Sequence, residues 1–235
     1  MQWKAETGKV LKRFTQTSGG QNEDIWIYAS RFHENQIGLA RTLLLEGLRF
    51  HPESIKIYRE YFMLEIEFCK SIKNEPELGQ DLEDGQAVSN GEIVKKVFEK
   101  AIESTKSQLF AMEMLILVQK SNLYNLYKDL QKFLQESEFS KQIWSWTILA
   151  SLSLYPDPNQ DRTVEQKFEN CLEFLLQGLD KIHSTAFVEE CLKLVKQISD
   201  EHKDLDEYCG MIAAKVLQKG NALGLLTDDL KSLLN

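Results

Sequence analysis

Ala40-Arg41-Thr42-Leu43-Leu44-Leu45-Glu46-Gly47-Leu48-Arg49-Phe50-His51-Pro52-Glu53-Ser54 is the stretch that decides the fold. Ala40, Leu44, Gly47 and Leu48 recur at helical spacing and form one stripe. Ala40 and Gly47 are small enough to let a paired backbone approach closely. Arg49-Phe50-His51-Pro52 closes the helix, because proline lacks the amide that would continue it. Tyr58, Tyr61 and Glu65 then share one face of the next helix. Upstream, Trp26 opens a helix that carries Ala29 and, one turn on, Phe32 and His33. The links at 34–36 and 50–54 are so short that successive helices must run antiparallel.

The same period runs outward through the chain. Leu123, Leu126, Tyr127, Leu130 and Leu134 form one stripe, Leu172, Leu175, Leu176 and Leu179 another, and Val188, Cys191, Leu192 and Val195 a third. No useful length alternates with period two, so no strand is expected. The spacing predicts helices over 4–17, 23–34, 36–50, 54–72, 91–105, 107–120, 122–137, 139–153, 163–181, 184–200, 203–219 and 222–234. Pro52, Pro76, Pro156 and Pro158 fall between them, and Ser18-Gly19-Gly20 reads as a turn. Asn74–Gly91 holds five acidic residues and four glycines or prolines and reads as an acidic loop; a shorter loop runs from Tyr155 to Arg162. Consecutive hairpins with broad apolar faces must stack on neighbours to bury them. The expected fold is therefore all-α, an α-solenoid of antiparallel hairpins.

Composition narrows the function classes. The chain has 235 residues, 28 Lys plus Arg against 36 Asp plus Glu, and a net charge of -8. That balance argues against free-standing nucleic-acid binding, which draws its affinity from cations on phosphates. Twelve glycines and four prolines are too few for an all-β chain of this length. No apolar run is long enough to span a membrane, and the first residues lack the apolar core of a signal peptide. Cys69, Cys171, Cys191 and Cys209 lie apart among apolar residues and read as buried free thiols. His33, His51, His183 and His202 show no ligand spacing, and Asp81–Gly85 lacks the distal Glu of a calcium loop. No catalytic, cofactor, metal or small-molecule site is read.

The unit from Ile25 to Phe68 resembles the half-a-TPR (HAT) repeat. Trp26 and Tyr58 match its first aromatic position, Tyr61 the second, Glu65 the acid of helix A and Arg41 the arginine of helix B. Ala29 and His33 depart from it, standing where an aromatic and a Glu are expected. Val97–Ile102 reads as a further helix B, and Trp144 with Trp146 opens another helix A. The expected organisation is a partial preceding repeat over 1–20, two well-marked repeats over 21–105 that include the acidic loop at 74–91, and degenerate hairpins over 106–235. The runs Leu48-Arg49-Phe50-His51-Pro52-Glu53 and Glu60-Tyr61-Phe62, with Lys128–Lys132, resemble the U3 small nucleolar RNA-associated protein 6 family. That resemblance implies a non-enzymatic scaffold of the small-subunit processome. It implies a nuclear, nucleolar location, β-propeller partners, and at most indirect or weak contact with the U3 particle and pre-ribosomal RNA. It also implies that this sequence is a fragment or short isoform of a longer family member. Another HAT or tetratricopeptide adaptor, in splicing or messenger-RNA 3′-end processing, is the competing reading.

Trp26, Ala40, Gly47, Leu48, Pro52, Tyr58 and Tyr61 read as the packing ring of the hairpin rather than as ligand contacts. Arg41 and Glu65 read as an ion pair joining a B helix to the following A helix. His51, before Pro52, reads as sealing the turn between repeats. Five of the six arginines fall in the first quarter of the chain. Arg31, Arg49 and Arg59, with Lys56, offer contact to ribosomal RNA or to an acidic protein tail, against the plainer reading of a solvated face. Trp144 and Trp146 point to different sides of a helix, so one should be core and the other a candidate partner anchor.

Overall fold

Helix ends in this protein follow the capping chemistry of the chain. A computed structural model describes residues 18–74, 90–121, 123–155 and 161–232, together with Arg13. The helix expected over 4–17, apart from Arg13, the body of the acidic loop and most of the 155–162 loop lie outside the described residues. Eleven α-helices and three short 3-10 turns, with no strand, make up the described elements. In the first unit, Met1–Leu130, lie α1 (Glu23–Phe32), α2 (Ile37–Phe50), α3 (Ile55–Asn74), α4 (Glu92–Thr105) and α5 (Gln108–Lys120). Helix α6 (Tyr124–Glu136) crosses the boundary. The second unit, Gln131–Asn235, holds α7 (Ile143–Leu154), α8 (Val164–Ile182), α9 (Thr185–Glu201), α10 (Asp206–Ala222) and α11 (Asp228–Ser232). Within each unit consecutive helices pair, as the all-α, solenoid-type reading requires. No described helix is long and apolar enough to cross a membrane.

Asn22 accepts the Asp24 amide at 2.9 Å to start α1, and the Ser54 hydroxyl accepts the Ile57 amide at 3.2 Å to start α3. Thr163 and Gln166 form a reciprocal capping box on α8. In the first unit the core gathers on Phe62, Phe98 and Phe110, whose ring centroids stand 6.2–6.3 Å apart. In the second it gathers on Trp146, Phe187, Cys171 and Leu175, all at most 1% exposed.

Two expected helices differ. The stretch predicted as one helix over 139–153 splits into a 3-10 turn, Glu138–Lys141, and α7. Gln142 between them is extended, because the Ser140 carbonyl is drawn to the Trp146 indole instead of to a further helical amide. The helix expected over 222–234 is interrupted as well. Gly224 sits at φ +69°, its amide bonds the Asn221 carbonyl at 3.0 Å, and the Leu225 amide bonds the Gly220 carbonyl at 2.9 Å. That pairing is a Schellman stop, and it ends α10 at Ala222.

Candidate functional site

Trp26 is the pin of the first hairpin. It is 1% exposed, and its indole N–H donates to the Gly20 carbonyl at 2.9 Å, so burial leaves no orphan donor. The His51 ring nitrogen lies 3.1 Å from the same carbonyl. The turn that precedes α1 is thereby tied to the end of α2, where the sequence placed His51 as a seal. Gly47 makes room for the ring: a Cβ there would meet Trp26 Cγ at 2.8 Å. Phe50 stacks on the outer side of Trp26, centroids 5.5 Å apart, and is itself 60% exposed. Ala40 is fully buried, Leu48 is half-buried and Pro52 is exposed in the turn.

Arg41 on α2 grips Glu65 on α3 with two parallel bonds, Nε to Oε1 at 2.6 Å and Nη2 to Oε2 at 2.7 Å. Glu65 is 1% exposed, whereas Arg41 keeps 22% of its side-chain surface. The guanidinium also lies 5.0 Å from the centroid of the Phe68 ring. The hydrogen bond to Glu65 raises the Arg41 pKa, with burial opposing it. Burial pushes the Tyr61 phenol up. Tyr58, also buried, donates its hydroxyl to Ser104 at 3.2 Å and so reaches α4.

The cations offered for RNA contact have protein partners. Arg31 holds Glu60 with bonds of 2.8 and 2.6 Å, joining α1 to α3. Lys56 lies 2.8 Å from Glu23 and 3.3 Å from Asp24, joining the same two helices at their N-terminal ends. Arg59 reaches Glu113 on α5, its Nε at 3.1 Å. Glu23 also accepts the Ser54 hydroxyl, and Lys56 and Ser54 together hold its carboxyl below the usual carboxylate range. Arg49 is exposed and has no carboxylate partner among the described residues. Successive A helices are thus laced by carboxylates that offset the local positive charge.

The second unit repeats the tryptophan device. Trp146, 1% exposed, donates its indole N–H to the Ser140 carbonyl at 2.7 Å. In both units the acceptor lies six residues before the tryptophan, on a 3-10 turn. Gly178 on α8 stands where Gly47 stands on α2: a Cβ there would meet Trp146 Cγ at 2.8 Å and the Phe187 ring at 2.5 Å. Trp144 is half-buried, 6.0 Å from Phe139. Counting back from each glycine, Arg41 corresponds to Leu172; counting forward from Ile57 and Phe187, each against its glycine, Glu65 corresponds to Val195. Both replacements are buried. Where the first unit uses an ion pair, the second has two apolar side chains.

The four cysteines are buried and none of them is in a disulfide. Burial pushes the Cys171 thiol up to about 12 and raises Cys191 further. Such thiols are poor nucleophiles. No cluster among the described residues could hold a metal ion.

No family model matches the chain. It is similar to U3 small nucleolar RNA-associated protein 6 homolog of Mus musculus, 25% identical over 158 residues that cover 61% of this chain and 26% of that protein. It is also similar to the homolog of Homo sapiens, 30% identical over 118 residues, 46% of this chain and 19% of that protein. The chain is thus similar in part to homologs of U3 small nucleolar RNA-associated protein 6. It spans about a quarter of the length of the one relative and a fifth of the other.

The sequence marks Trp26, Gly47, Arg41 and Glu65, which the fold brings into one joint between α1, α2 and α3. Sequence reading missed Glu23, Glu60 and Glu113, the partners of the basic residues. It also missed Gly178. The signal for Gly178 was the shared pattern of a tryptophan on helix A and a glycine on the following helix B.

Proposed function

We propose that the chain is a non-enzymatic HAT-type scaffold of the small-subunit processome, acting in nucleolar maturation of small-subunit ribosomal RNA through protein–protein contacts. The relatives' names support the assembly, and the laced A-helix face supports the mode of action. The observation that carries the mode is the pairing of Arg31, Lys56 and Arg59 with Glu60, Glu23, Asp24 and Glu113. A surface built for phosphates keeps its cations free to release counterions; here carboxylates already hold them. Arg41, Glu65 and Ser54 are committed to joints between helices, which supports a structural role over catalysis. Partners in this reading are other processome proteins, including β-propeller members, with the U3 particle and pre-ribosomal RNA reached indirectly, and the location is the nucleolus. Affinity purification of the tagged chain with mass spectrometry tests it. Recovery of small-subunit processome proteins is expected, and recovery of splicing or 3′-end-processing proteins in their place would assign the chain to the other adaptor class.

A further inference from the structure

Helices α1 and α3 lie side by side and run parallel, and a furrow opens between them. The Arg31–Glu60 pair crosses it midway. Its half toward the C-terminal ends of both helices has a volume of about 620 Å³. Ile37, Met63 and Phe68 supply apolar surface to that half, and Met63 is 43% exposed in the middle of it. Glu34 and Glu67 line the same half. Glu34 is exposed and has no ion-pair partner among the described residues. Glu67 is 70% exposed, and its ion-pair partner among the described residues is the neighbouring Lys70 of its own helix. Among the described residues the single cation lining this half, Arg31, is already spent on Glu60. The C-terminal ends of α1 and α3 add the negative ends of their dipoles. The furrow is therefore apolar at its base and acidic at its rim.

We infer that this furrow docks a segment of a partner protein that presents a large apolar side chain flanked by Lys or Arg. The apolar side chain would seat against Met63 and Phe68, while its basic neighbours answer Glu34 and Glu67. Charge complementarity selects this occupant over an acidic segment, and it also disfavours a nucleic-acid strand, whose phosphates would face the same two carboxylates. The inference rests on the reading of the chain as a protein-binding scaffold and names the partner chemistry at one of its surfaces.

The test uses the full chain and a fluorescein-labelled amphipathic helical peptide with leucines at helical spacing and lysines beside them. A second peptide carries glutamates in place of the lysines. In fluorescence anisotropy the lysine peptide should bind about ten-fold tighter or better than the glutamate peptide. Met63→Asp should weaken the lysine peptide by a similar factor. The double variant Glu34→Lys with Glu67→Lys should reverse the preference. Both positions are exposed, so its circular-dichroism melt should match the parent's. Equal binding of the two peptides, an unchanged preference in the double variant, or displacement of the lysine peptide by oligouridylate RNA would overturn the inference. Failure here with continued recovery of processome proteins by the tagged chain would reject the furrow and leave the scaffold reading standing.

Discussion

Replacing Arg41 and Glu65 by the residues that the second unit uses, Leu and Val, separates the value of the ion pair from the cost of breaking it. Arg41→Leu leaves Glu65, 1% exposed, without its cation. A buried carboxylate stripped of its partner costs about 3–5 kcal/mol. Glu65→Val leaves Arg41 unpaired instead, but 22% of its side chain already meets water. Its guanidinium can rehydrate, so the cost should fall below that range, to roughly 1–3 kcal/mol. The double variant removes both charges from the interior and should lie within about 1 kcal/mol of the parent. The two single costs are therefore strongly non-additive, with a coupling of about 3 kcal/mol or more. Urea denaturation followed by circular dichroism measures all of this, with the slope m checked for constancy. A double variant as unstable as the sum of the singles would refute the pairing argument. So would an Arg41→Leu protein as stable as the parent.

Other outcomes follow from the same geometry. Gly47→Ala and Gly178→Ala should each destabilise by about 1–3 kcal/mol through overpacking, Gly178→Ala more, because its Cβ would press on both Phe187 and Trp146. Gly210→Ala, in α10 with open space around it, should instead stabilise by about 0.5–1 kcal/mol in the same denaturation assay. Ellman's reagent at pH 8 should label Cys171 and Cys191 only at the rate of unfolding; rapid labelling in the native state would contradict their burial and raised pKa values. By NMR, the Glu23 carboxyl should titrate below the ordinary carboxylate range and move up in Lys56→Ala. Its depressed pKa makes its contribution to stability present at neutral pH and lost as pH falls through the folded value.

Local chemistry explains how much could be read in advance. The bounds expected for α2, 36–50, and found, Ile37–Phe50, agree because Pro52 stops the helix whatever packs on it. Trp26, Gly47, Arg41 and Glu65 were legible because they stand in one hairpin that resembles a known repeat, on helix faces that must meet. The acidic partners of the basic residues were not. Glu60 lies 29 residues from Arg31, and Glu113 lies 54 from Arg59, so only the stacking of A helices brings them together. Gln142 was read as helical because its neighbours are. What breaks the helix there is the indole of Trp146 claiming the Ser140 carbonyl, a tertiary choice that helix propensity does not encode. The joint of the second unit was hidden for another reason: Leu172 and Val195 replace the charged pair, which leaves Gly178 as the visible trace of the repeat.

The most direct test of contact through protein is RNase treatment of the affinity-purified assembly. The tagged chain should keep its processome partners after RNase digestion and through a rise in salt, since desolvated apolar and paired contacts are little screened. Loss of those partners on RNase digestion, with the chain itself still folded, would show that RNA tethers it to the assembly and would contradict the account.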